Sequence, residues 1–147
     1  MSATIRMLKS SEVKLDKRYH GLRILLVEDD PDDAELTVRT LLRIFLERDI
    51  FLAAEAEEAL RCLEDLNQER SGLPDLILLD IKLPRLSGME LLERLKSRPD
   101  LRGIPVVMLT GSLVSEDIQK SYDLGAVTYL LKPITEDDLL MTLSNLT

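Results

Sequence analysis

Hydrophobic residues along this chain fall into two alternating patterns. Short, mostly apolar runs, each stopped by a polar or charged residue, are separated by longer stretches in which apolar residues recur every three or four positions. The runs occupy residues 22–27, closing on Glu28, Asp29 and Asp30; 76–79, set between Pro74 and Pro84 and closing on Asp80; 106–109, closing on Thr110; and 127–131, closing on Lys132. Residues 49–54 form a weaker fifth run. Short runs that do not alternate with polar residues fit strands buried on both faces.

Five helical patterns lie between and after them. Asp30-Pro31 puts an acid at the cap and Pro at the first helical position, opening a helix whose apolar face is Ala34, Val38, Leu41, Leu42 and Phe45. Ala56, Ala59, Leu60, Leu63 and Leu66 line a second, and a third opens at Ser87-Gly88 with Met89, Leu91, Leu92 and Leu95. A short fourth holds Ile118, Tyr122 and Leu124 and stops at Gly125. The last opens with the capping box Thr135-x-x-Asp138 and carries Leu139, Leu140, Leu143 and Leu146.

Five strand-then-helix units predict an α/β fold, a five-stranded parallel sheet with helices on both faces, because right-handed crossovers put them there. The flavodoxin-like order 2-1-3-4-5, a three-layer sandwich, is a common solution for five strands. It sets its ligand crevice between the C-terminal ends of strands 1 and 3. Those are the strands that end at Asp29 and Asp80.

Length and composition narrow the picture further. The 147 residues suffice for one domain with a sizeable core. Residues 1–20 carry five Lys or Arg against two acids without periodicity, which predicts a flexible N-terminal extension followed by one domain over residues 21–147. A net charge of −8 and 3% aromatic residues argue against nucleic-acid binding. With neither a long apolar run nor a secretory signal, the expected setting is the cytoplasm, away from membranes. Cys62, alone, reads as inert packing, and His20, the one histidine, lies outside the patterned region. Histidine-based acid–base chemistry and the commoner zinc sites are thereby removed.

Chemistry then falls to carboxylates, a hydroxyl, a lysine and a hard cation. An isolated Asp after a strand is an ordinary turn former, but the predicted order gathers Glu28, Asp29 and Asp80 at the centre of one sheet edge, with Thr110 and Lys132 on the next strands out. Carboxylates 4 Å apart repel by about 4 kcal/mol per pair at an effective dielectric near 20. Mg²⁺ offsets such crowding, taking one or two carboxylates, waters and a phosphate oxygen. Lys132 supplies a second positive charge and Thr110 a hydroxyl donor where phosphoryl oxygens would lie. The set describes a phosphoryl-transfer site with an Asp as covalent acceptor, and the lack of a glycine-rich phosphate loop argues against nucleotide binding.

The motifs V-E-D-D at residues 27–30, L-L-D-I-K-L-P at 78–84 with Gly88 beyond, L-T-G at 109–111 and Y-L-L-K-P at 129–133 resemble the receiver domain of two-component response regulators. The resemblance runs from about Leu22 to the C-terminus. It implies that Asp80 takes a phosphoryl group from a phosphohistidine on a sensor histidine kinase. It implies too that Asp29 ligates Mg²⁺ directly, Glu28 through water, and the Lys82 backbone carbonyl as a further ligand. Thr110 would receive a phosphoryl oxygen when the end of its strand shifts, with Gly111 leaving space, and Lys132 would pair with the phosphoryl group across a cis Lys132-Pro133 bond. Tyr129 would turn inward on activation. Lys82 and Ser112 stand where the family tunes the lifetime of the acyl phosphate, and Leu83 stands where Met is frequent.

The chain ends with the fifth helix, so output is expected through protein contacts or a phosphorelay rather than an attached effector, and only self-phosphorylation and autodephosphorylation are expected as activities. Residues 101–110 and 121–126 look most like the single-domain regulators that partner phytochrome-type sensor kinases. A homodimer through the surface of the fourth helix, fifth strand and fifth helix is the expected assembly. Two alternatives stay open: a phosphorylation-independent adaptor with a receiver fold, and a carboxylate-dependent phosphatase, which would need a second acid at the position of Lys82.

Overall fold

The computed structural model describes residues 17–70, 72–112 and 115–146. Five strands, β1 (Ile24–Val27), β2 (Ile50–Ala53), β3 (Leu76–Asp80), β4 (Val106–Thr110) and β5 (Thr128–Leu131), form one parallel sheet in the order β2-β1-β3-β4-β5. Five helices, α1 (Pro31–Leu41), α2 (Ala56–Asn67), α3 (Gly88–Ser97), α4 (Ser115–Asp123) and α5 (Glu136–Leu146), follow the strands one by one. The predicted strand order and helix count are both found.

Pleating explains why the strands read as solid apolar runs. Alternate residues of a strand face opposite sides, and the buried residues divide accordingly. Leu25, Val27, Ile77, Leu79, Val106 and Met108 join α2 and α3 in one cluster. Ile24, Leu26, Leu76, Leu78, Val107 and Leu109 join α1 and α5 in another. β1, β3 and β4 are buried along their whole length, whereas β5, at the sheet edge, is half-buried and ends exposed.

The helix boundaries follow the signals in the sequence. Asp30 caps α1 by accepting from the amides of Asp32 and Asp33 at 2.8 and 3.2 Å, and Ser87 caps α3 from the Glu90 amide at 3.2 Å. Thr135 and Asp138 exchange backbone-to-side-chain bonds of 3.1 Å each at the start of α5. Gly125 takes φ +105° after α4, a conformation that favours glycine.

Two expectations shift. The apolar pattern opened by Ala34 outruns α1, which stops at Leu41, while Leu42, Ile44 and Phe45 stay buried in the turn that follows. Most of the predicted N-terminal extension, residues 1–16, lies outside the described residues. Its last part packs: Lys17–Tyr19 make a 3₁₀ turn and Tyr19 is buried in the cluster of α1 and α5. Among the described residues, no helix is long and apolar enough to cross a membrane.

Candidate functional site

The C-terminal ends of β1, β3, β4 and β5 meet at one edge, and pleat parity decides which side each end residue takes. Glu28 and Asp80 continue the face of Leu26 and Leu78, and Lys132 that of Leu130, all on the α1/α5 side. Thr110 and Tyr129 instead continue the face of Met108, on the α2/α3 side.

On the α1 side, the Lys132 ammonium sits among three carboxylates. It donates to Asp33 Oδ2 at 2.9 Å, Glu28 Oε1 at 3.0 Å and Asp80 Oδ2 at 3.3 Å. The Glu28 side chain is 0% exposed, that of Asp80 5% and that of Lys132 14%. Asp80 Oδ1 accepts from the Lys82 amide at 3.2 Å, fixing the carboxylate from the chain side. The Lys82 side chain is exposed. A cavity of about 290 Å³ opens here, lined by Asp33, Leu36, Asp80, Lys82, Gly111 and Lys132 together with Pro133. The Lys132-Pro133 bond is cis, as expected.

Electrostatics bear the mark of crowding. Burial, then the hydrogen bond with Asp80, push the Glu28 carboxyl from its ordinary 4.5 up to about 8, against a pull from Lys132. Burial draws the Lys132 ammonium down, but its bonds to Asp33 and Glu28 and the charge of Asp80 outweigh that and hold it above the ordinary range. One ammonium does not balance this much negative charge. Carboxylate oxygens of Glu28, Asp29 and Asp80 lie within 4.8 Å of one another, with Asp29 exposed and the other two buried. A set of hard oxygen donors whose crowding raises the Glu28 pKa fits a divalent cation such as Mg²⁺ or Mn²⁺, which would favour the ionised carboxylate.

The backbone around Asp80 is closely packed. A Cβ added at Gly88 would overlap the Asp80 carbonyl group and stand 2.9 Å from Ile81 Cα, so the first residue of α3 has to lack a side chain. Gly111 is the opposite case: a Cβ there would meet nothing within 4 Å, and the residue lines the cavity that Asp80 also lines.

Glu28, Asp29, Asp80 and Lys132 are thus brought together. Thr110 is near but turned away: its hydroxyl donates to the Ser112 carbonyl at 2.6 Å, closing its own turn, and Ser112 is exposed. Tyr129 is half-buried with its ring edge-on to Tyr122, centroids 6.1 Å apart. Asp33 was not among the expected site residues. The acid-rich stretch 28–33 reads as helix capping, and the only cue to Asp33 is that it lies one helical turn after Asp30, on α1, which packs on the face that Glu28 and Asp80 share.

A parallel sheet in this order, with a carboxylate cluster and a half-buried lysine at its C-terminal edge, defines a signalling receiver. The chain belongs to the response regulator receiver domain family, which it matches over residues 24–144. Members of that family are signalling domains that bind a divalent metal in an acidic pocket and partner histidine kinases. The response regulator Rcp1 of Synechocystis sp. is 38% identical over 117 residues, 79% of this chain and 80% of that protein. The bacteriophytochrome response regulator AtBRR superposes with a TM-score of 0.71 at 34% identity, covering 92% of this chain and 94% of that one. The Mn²⁺-bound form of Rcp1 gives 0.65 at 32%, over 85% and 91%.

Proposed function

We propose that Asp80 accepts a phosphoryl group from a sensor histidine kinase, in a reaction that depends on Mg²⁺ and takes place in the cytoplasm. The contact of Lys132 with Asp80, beside Glu28 and Asp29, carries this reading. An Asp80 oxygen attacks phosphorus as the P–N bond to the kinase imidazole breaks, giving an acyl phosphate and a free histidine. The Lys82 amide orients the carboxylate, and Lys132 pairs with a phosphoryl oxygen as negative charge moves onto Asp80. Glu28, Asp29, Asp80 and the Lys82 carbonyl would hold Mg²⁺, which neutralises phosphoryl charge when bound.

Thr110 is the switch in this reading. Its hydroxyl leaves the Ser112 carbonyl for a phosphoryl oxygen, and Tyr129, on the same pleat face, turns into the space that this opens. Lys82 and Ser112, both exposed beside the cavity or its neighbouring turn, set how long water takes to reach the acyl phosphate. Output passes through the surface of α4, β5 and α5, where Tyr122, Val127, Leu131 and Met141 are exposed apolar residues suited to a homodimer rather than to nucleic acid. The likeness to phytochrome response regulators supports a phytochrome-type kinase as donor.

Phosphotransfer from phytochrome-type kinases, followed as label on the chain, tests the proposal. Wild type should be labelled and Asp80→Asn should not; label persisting on the Asn variant would overturn the assignment.

A further inference from the structure

The shortest contact of the Lys132 ammonium is with Asp33, not with Asp80. Asp33 reaches it from the first turn of α1, ninety-nine positions away in sequence, and its side chain is 40% exposed on the cavity that leads to Asp80. Glu28, the other strong partner, is fully buried. Apart from the acceptor Asp80 itself, Asp33 is therefore the one carboxylate of the three that both holds the lysine and faces an incoming phosphodonor.

From this geometry we infer that Asp33 is a specificity residue that selects against small, highly charged phosphodonors. The inference rests on Asp80 being the phosphoacceptor. A donor entering the cavity must bring phosphoryl oxygens up to Lys132, and Asp33 opposes it twice. It competes for the ammonium, and its charge repels the donor in proportion to the charge the donor carries. The exposed Lys82 on the same cavity has no carboxylate partner among the described residues, so its charge offsets part of the repulsion of the donor but does not relieve the competition for the Lys132 ammonium. A kinase can offset the repulsion with its own contacts, whereas a free acyl phosphate cannot, so Asp33 insulates the domain from acyl phosphates in solution.

Two donors of different charge separate this role from a structural one. Acetyl phosphate, a dianion near neutral pH, passes its phosphoryl group to an Asp80 oxygen as its own P–O bond breaks and acetate leaves; phosphoramidate, with one net negative charge, does the same and releases ammonia. Labelling rates of the full chain with Mg²⁺ present should rise about tenfold with acetyl phosphate in Asp33→Asn but only about threefold with phosphoramidate, because the repulsion removed scales with donor charge. Asp33→Glu should keep the wild-type ratio, and added salt should shrink the difference. An equal change with both donors, or no change, would overturn the role of Asp33 while leaving Asp80 as acceptor. Failure of either donor to label wild-type Asp80 would overturn the acceptor reading and this one with it.

Discussion

Replacing Lys132 with Met is the sharpest probe of the site. The substitution keeps most of the length of the side chain and removes the ammonium from among Asp33, Glu28 and Asp80, which it meets at 2.9, 3.0 and 3.3 Å. At 3.0 Å and an effective dielectric of 20, each attraction is worth about 5 kcal/mol before desolvation. Bringing the ammonium out of water offsets much of that sum, so the relevant scale is the cost of stranding buried charge, about 3–5 kcal/mol. Glu28 softens the loss, since it holds a proton up to about pH 8. About 3 kcal/mol should therefore be lost near pH 8, and less near pH 6, where protonation of Glu28 removes one of the stranded charges. With an m-value of about 2 kcal/mol per molar urea, the midpoint falls by about 1.5 M near pH 8. Millimolar Mg²⁺ should restore more stability to the variant than it adds to wild type, because the cation takes over charge the lysine no longer balances. Equal urea midpoints for variant and wild type, or an equal benefit from Mg²⁺, would refute the reasoning.

Three further outcomes are expected. Without divalent cation, the contribution of the Glu28 proton is present in full below 4.5 and is lost as pH rises from 4.5 through about 8, because the native state then holds a proton that the unfolded chain has released. Glu28→Gln should flatten that slope in urea titrations. Gly88→Ala should cost 2 kcal/mol or more, on the order of other overpacking changes, and should weaken Mg²⁺ binding seen by calorimetry, because the Asp80 backbone must move to admit the methyl group. Asp30→Ala should cost about 1 kcal/mol in thermal unfolding through loss of the α1 cap.

Much of this was legible in the chain because the informative residues act locally. The apolar runs of β1, β3 and β4 are continuous because both faces of these strands are covered, so their ends, and with them Glu28, Asp80 and Thr110, could be read directly. Asp30, Ser87 and the Thr135/Asp138 pair work within one turn of helix and were equally plain. Asp33 was not, since its contact with Lys132 spans the whole fold and no local pattern encodes it. The direction of the Thr110 hydroxyl depends on the turn at Ser112, and the burial of Tyr19 depends on α1 and α5 being already in place. Arg85, at φ +62° in the loop after β3, carries no residue-type signal for that conformation.

The division of buried residues by the sheet has an energetic corollary. Leu78 and Leu79 are neighbours in sequence, yet their side chains belong to separate apolar compartments that communicate only through the strand backbone. Core truncations on opposite sides, such as Leu63→Ala and Leu139→Ala, should have nearly additive effects on stability, while pairs within one side should not. The domain thus carries two mutational ledgers. Only the compartment of α1 and α5 adjoins the Lys132 cluster directly, so loosening that one should disturb phosphoryl chemistry at a given loss of stability more than loosening the other.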